Sequence, residues 1–150
     1  SGRSVPPSAN GAGAPGREQE LRKLLIFAAF NGFVAVLAGA MGSHALRETL
    51  SPQALGWIAT AERYQMWHAL ALGIVVALAA RNGGLDGPMP YRLKVAATLF
   101  GAGIVLFSGS LYVLALTGWR PVAMVTPLGG LALMAGWVVL AVHGLSHRDP

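Results

Sequence analysis

At 150 residues the chain has room for one ordinary domain, but 54% of its residues are hydrophobic and only 11% are charged. A soluble globule of that make-up would leave too much apolar surface in water, and the mean hydropathy of +0.55 agrees. The net charge of +5 comes from Lys and Arg scattered at the ends of apolar stretches rather than gathered on one face, which marks topology signals and lipid-headgroup contacts and excludes a nucleic-acid surface. The absence of cysteine excludes disulfides and thiolate metal sites.

Residues 1–20 (SGRSVPPSANGAGAPGREQE) are rich in Gly, Pro, Ser and Ala without apolar periodicity, so a disordered N-terminal tail is expected. The chain starts at Ser1 rather than Met, which fits a processed or expression-derived start. The first span is expected over Leu24–Met41, after Arg22 and Lys23. Basic residues, an apolar run and Ala38-Gly39-Ala40 also resemble a signal peptide with a small-residue cleavage site. The run is longer than the usual core of roughly 7–15 residues, which favours a retained span. Between His44 and Arg63 lies a mixed segment in which Ser51-Pro52 is a helix start, the hydroxyl capping exposed amides and the proline occupying the first helical position. A helix from there to Ala80 is too long for the hydrocarbon alone, so its first turns, with Trp57, are expected in the interface.

The second span itself covers Tyr64–Ala80 and ends at Arg81, before a breaker-rich loop through Pro90. The third covers Val95–Leu116 and closes at Thr117-Gly118-Trp119-Arg120-Pro121. The fourth covers Val122–Val142, with Thr126-Pro127 expected to kink it or start it afresh. The chain thus divides into a tail (1–20), a four-span membrane domain (21–143) and a short polar tail (144–150), and His143 and His147 are expected in a solvated tail. The expected fold is all-α, an integral membrane four-helix bundle with an interfacial helical segment between spans one and two. Basic residues set the orientation: Arg3, Arg17, Arg22, Lys23, Arg81, Arg92, Lys94 and Arg148 share one side, against Arg47, Arg63 and Arg120. Both termini are therefore expected on the cytoplasmic side of a bacterial inner membrane, or the matrix side of a mitochondrial one.

Small residues four apart at Gly39/Ser43, Ala97/Gly101 and Ala132/Gly136 would allow close helix approach, and Asn31-Gly32 reads as an interhelical contact. The richest polar group lies at the outer ends of spans one and two: His44, Arg47 and Glu48, then Glu62, Arg63, Tyr64, Gln65 and His68. Tyr64, Gln65 and His68 share a helix face, and an ionisable group at the depth of His68 needs a partner. Three readings follow. The cluster is a structural clasp, with a His44–Glu48 pair and Glu62 or Gln65 accepting from His68; or it is a metal or haem site using His44 and His68; or it is a proton or solute path through His68 and Glu62. No cofactor is predicted on the first reading. Ser108, Ser110 and Tyr112 are expected mainly to bond within their own helix, and carbonyls freed near Thr126 and Pro127 would line a gap. No nucleotide-binding Gly loop, zinc-protease helix or nucleophile elbow is present, so no enzyme is indicated.

The run FNGFVAVLAGAMGSHALRETL, then TAERYQMWHALALG, FSGSLYVLALTG and TPLGGLALMAGW, resembles the small membrane proteins grouped as domain of unknown function 423. That family includes the YgdD-like inner-membrane proteins of bacteria and the animal transmembrane protein 256. The resemblance covers Leu24–Val142 in order and implies a four-span membrane protein, but no substrate. Its pattern falls on His44, Tyr64, Gln65, His68, Ser108, Tyr112 and Pro127. The expected role is structural or accessory, with lipid, membrane-protein partners or further copies of the chain as its contacts. The alternative is binding or transport of a metal, haem or small solute at the His/Glu cluster.

Overall fold

The computed structural model describes residues 15–81 and 88–146. Of these, 89% are helical and none forms a strand. Helix α1 covers Pro15–Ser43, α2 Pro52–Arg81, α3 Tyr91–Ile104, α4 Ser110–Thr117 and α5 Thr126–Ser146. A π-helical turn, Val105–Gly109, joins α3 to α4, and a 3₁₀ turn, Arg120–Met124, precedes α5. Because α3, the π turn and α4 run on as one rod, the chain is a four-helix membrane bundle. Three of its rods, Gly16–Ser43, Tyr91–Thr117 and Arg120–Ser146, are long and apolar enough to cross a bilayer. Helix α2 has the length, at 30 residues, but carries polar residues in its middle because that stretch faces other helices.

The α1 helix starts earlier than composition indicates. Residues 15–20, expected in the disordered tail, are helical, while 1–14 and 147–150 lie outside the described residues. A tertiary contact accounts for the difference: Arg17 is buried, and its guanidinium donates to the carbonyl of Ala79 in the last turn of α2. A helix C-terminus leaves carbonyls unpaired and carries partial negative charge, so a cation there both caps and neutralises it. Lys94 Nζ lies 2.9 Å from Glu20 Oε1, tying α3 to α1 at the same end.

At the other end, turns at His44–Leu50 lead into α2, where Ser51 Oγ accepts from the Ala54 amide at 3.2 Å. Ser51-Pro52 is the helix start that the sequence indicates. The interfacial first turns of α2 pack Ala54 and Ile58 on Ala115, with Leu46, Leu50, Trp57 and Tyr112 around them. The α4 helix ends where Gly118 adopts φ 67°, a left-handed cap whose amide bonds the Leu114 carbonyl. Thr126-Pro127 does start a new helix, since the 3₁₀ turn ends at Met124 and the proline sits in the first turn of α5, where its missing amide costs nothing.

Helix α1 leans mainly on α2, and α5 mainly on α3, with α2 against α3 and α4 in the centre. The core holds Leu72, Val75, Leu93 and Phe100, all fully buried. The α3–α5 contact is closest where α5 has glycine. A Cβ on Gly129 would stand 2.3 Å from the Phe107 amide nitrogen, and one on Gly136 would stand 2.7 Å from the Phe100 ring. Gly103 meets Leu133 as closely. Of the small pairs singled out in the sequence, Gly136 belongs to this contact, Gly101 lies beside Phe27, and Gly39 beside Glu62. Gly129 and Gly103 are the further close approaches that a four-residue spacing does not reveal. His143, expected in a solvated tail, is buried, because α5 continues to Ser146 and the face of Gly129, Leu133 and Gly136 returns to it.

Overpacking a tight interface costs about 1–3 kcal/mol. Gly129→Ala, pressing on backbone that cannot step aside, should lower thermal stability in detergent by an amount of that order. Gly144→Ala, with nothing within 4 Å of its Cβ position, should leave it unchanged or raise it slightly. Circular dichroism melts of both variants check the contrast.

Candidate functional site: a polar network between the spans

The polar side chains inside the bundle are hydrogen-bonded in several short chains, most of them centred on α2. Tyr112 on α4 donates to Gln65 Oε1 at 2.8 Å, Gln65 Nε2 donates to Asn31 Oδ1 at 2.9 Å, and Asn31 Nδ2 donates to the Phe27 carbonyl at 2.9 Å. One amide side chain on α2 is thereby bonded to α1 and α4, and Asn31 donates back to the carbonyl one turn earlier in its own helix. The order of donors is forced by chemistry, because the amide oxygen of Gln65 can only accept and its nitrogen only donate. Gln65 and Asn31 are both buried. In hydrocarbon an unpaired amide would cost several kcal/mol, so this chain specifies which helices are neighbours.

His68 is bound on both sides. Its Nδ1 lies 2.7 Å from the Tyr64 carbonyl, and Trp137 Nε1 on α5 donates to its Nε2 at 3.1 Å. A carbonyl only accepts and an indole N–H only donates, so Nδ1 carries the proton and Nε2 the lone pair. The ring is therefore in its neutral form with both nitrogens engaged. Tyr64, Phe100 and Trp137 surround it, with ring centroids 5.6 Å (Phe100) and 6.1 Å (Tyr64 and Trp137) from the imidazole, and Phe107 packs on Tyr64 behind them. A metal at Nε2, or a second proton there, would displace the tryptophan.

Two serines complete the network. Ser108, in the π turn, donates to the Ala61 carbonyl of α2 at 2.8 Å. Ser110 donates to the Phe107 carbonyl and lies 2.7 Å from the Thr126 hydroxyl at the start of α5. The expectation that these hydroxyls and Tyr112 bond mainly within their own helix is corrected: Ser108 and Tyr112 reach α2, and Ser110 bonds both its own helix and α5. The π turn explains this, since its extra residue rotates the following side chains onto faces that an uninterrupted helix would turn elsewhere.

The structure divides the predicted cluster. Tyr64, Gln65 and His68 belong to the network, Tyr64 through its carbonyl and ring. His44, Arg47 and Glu48 are exposed in the turns before α2, apart from it. Glu62 lines a separate cavity between α1 and α2, with Gly39 and Ser43. The expected acceptors for His68, Glu62 or Gln65, are replaced by the Tyr64 carbonyl, because a side-chain nitrogen four residues on reaches back to its own helix. Trp137 is the partner that sequence reasoning missed; an indole in an apolar run reads as lipid-facing. Pro127 follows Thr126 in the first turn of α5. Among the described residues no three His, Cys, Asp or Glu side chains converge as a metal-holding group.

Four apolar rods fastened by buried amide, imidazole, indole and hydroxyl contacts define a small multi-pass membrane protein. The chain matches the family described as "Protein of unknown function (DUF423)" over residues 38–130, and it belongs to that family. It is 43% identical to the Escherichia coli K12 "UPF0382 inner membrane protein YgdD" over 135 residues, 85% of this chain and 98% of the relative. It is 39% identical to a "UPF0382 membrane protein" of Haemophilus influenzae, covering 85% and 97%, and 35% identical to "UPF0382 membrane protein YwdK" of Bacillus subtilis, covering 85% and 99%. No solved structure matches it.

Interhelical hydrogen bonds in membranes contribute about 0.6–2 kcal/mol each. Gln65→Leu removes two of them and strands two partners, so it should lower stability by roughly 1–3 kcal/mol. Tyr112→Phe, which removes one and leaves packing intact, should cost less than half as much. Unfolding in mixed micelles compares the two; equal losses would place the stabilisation in the Tyr112 hydroxyl alone.

Proposed function

We propose that the protein is a structural or accessory subunit of a membrane complex, a rigid four-span scaffold seated in a bacterial inner membrane or, in the alternative, a mitochondrial one. The observation that carries this reading is the engagement of the interior polar groups. Asn31, Gln65, His68, Ser108, Ser110 and Tyr112 are each spent on a neighbouring helix or on backbone. A binding site or proton path needs groups held in reserve for the ligand or the proton, and His68 is not so held. The large exposed side chains of α1, such as Phe30, Phe33 and Val36, face lipid or partner helices.

The proposed orientation has both termini on the cytoplasmic or matrix side. Arg17, Arg22, Lys23, Arg81, Arg92 and Lys94 stand at the end where α1 and α3 begin and α2 finishes. Arg47, Arg63 and Arg120 stand at the opposite end, and the excess of basic residues marks the retained side.

The native protein, purified in mild detergent, should carry reproducible membrane-protein partners by mass spectrometry and no stoichiometric metal or haem. A metal or haem that is bound by the wild type and lost on His68→Ala would overturn the reading. Orientation is tested separately. Because the chain has no cysteine, Thr49→Cys and Ser146→Cys each create a single thiol. A membrane-impermeant maleimide applied to intact cells should label the first and spare the second; the reverse result would invert the topology.

A further inference from the structure

The cavity at the outer end of the α1–α2 seam plays no part in the polar network. It measures about 360 Å³ and is walled by Gly39, Gly42, Leu55, Ile58 and Ala59, with the half-buried carboxylate of Glu62 as its charged group. Among the described residues Glu62 has no hydrogen-bond or ion-pair partner; the Lys94–Glu20 pair lies at the far end of the bundle. A carboxylate close to the hydrocarbon is costly unless a cation or donor meets it. Among the described residues no cation meets it, and the Ser43 hydroxyl that lines the same cavity makes no hydrogen bond to it. Arg63 is the next residue, but neighbours in sequence lie about 100° apart on a helix and do not face each other. Arg63 is exposed on the same turn, so a positive group stands outside the cavity, one residue along the helix from the carboxylate.

Below the cavity, an apolar groove of about 670 Å³ follows the same seam toward the membrane interior, between Leu25 and Gly32 of α1 and Met66, Gly73 and Ala77 of α2. Glu62, Met66, Gly73 and Ala77 recur at intervals of four and seven, which keeps cavity and groove on one face of α2. At ~1.5 Å per residue, the groove from Met66 to Ala77 spans about 16 Å, close to half the roughly 30 Å hydrocarbon core, which is the depth of one leaflet. A Cβ at Gly32 or Gly73 would meet nothing within 4 Å, so the groove stands open.

We propose that this seam binds an aminophospholipid of the surrounding leaflet, with its ammonium on the Glu62 carboxylate, its phosphate on Arg63 and one acyl chain along the groove beside Gly32 and Gly73. Charge complementarity selects the occupant. A zwitterionic amine headgroup satisfies both unpaired charges, whereas an anionic headgroup without an amine leaves Glu62 unpaired. The wholly apolar groove requires a lipid tail rather than a water-soluble amine.

The test is native mass spectrometry of the full chain, titrated in detergent with phosphatidylethanolamine or phosphatidylglycerol of identical acyl chains. The wild type should retain the amine lipid about fivefold more than the glycerol lipid, a difference the size of one salt bridge. Glu62→Gln should bring the two to equal retention. Gly73→Leu, filling the groove, should lower retention of both, while Gly144→Leu at another open position should lower neither. Equal retention of the two lipids by the wild type, a comparison that requires no variant, would overturn the proposal. So would an amine preference that survives Glu62→Gln, or a wild-type dimer dissociated by Gly73→Leu, which would put a second copy of the chain in the groove.

Discussion

Everything in this bundle depends on the hydrogen bonding of one amide, that of Gln65, in a place without water. The side chain has two donor protons and an oxygen acceptor, and a bilayer interior offers no solvent to meet them. The protein pairs the nitrogen with Asn31 of α1 and the oxygen with Tyr112 of α4, and in doing so determines which two rods stand beside α2. His68, one turn further in, does the same for α5 through Trp137. Helix α2 is thus the axis of the molecule, and its polar residues are the reason it is the rod least like a simple membrane span.

The contact between α3 and α5 obeys a different physics. Apolar helices in lipid gain nothing from hiding apolar surface from water, so they associate through close packing. Gly129 brings α5 against the backbone of the π turn, and Gly136 admits the face of Phe100. The π turn sits where this contact and the hydroxyl contacts of Ser108 and Ser110 converge. Its wider coil presents Ser108 to α2 while Gly129 takes up the space at Phe107. One local departure from regular helix therefore serves the α2 side and the α5 side together.

At the cytoplasmic end of the proposed orientation, charge takes over as the organising interaction. Arg17 satisfies a carbonyl that the end of α2 would otherwise expose, and Glu20 holds Lys94 at the head of α3. The exposed Lys94–Glu20 pair adds little stability by itself. Arg17 matters more, because it extends α1 a full turn and more beyond its apolar stretch and fixes where α1 ends on α2. The opposite end is held by the interfacial start of α2 and its small apolar cluster, and there Glu62 has no such partner among the described residues.

The membrane class, the number of rods, the Ser51-Pro52 helix start, the break at Thr126-Pro127 and the family were legible in the sequence, because each follows from local composition, from the stereochemistry of a few residues or from motifs in order. The candidate residues Tyr64, Gln65 and His68 were legible as polar groups in need of partners. Which partners they take was not, since Asn31, Tyr112 and Trp137 lie 34, 47 and 69 positions away, and many pairings satisfy a hydrogen bond equally well on paper. The separation of His44 and Glu48 from that network, the burial of Arg17 and His143, and the π turn were likewise decided by tertiary structure. Local sequence determined what must be buried and what must be bonded; only the packing of the rods, through the distances at which they can approach, decided with what.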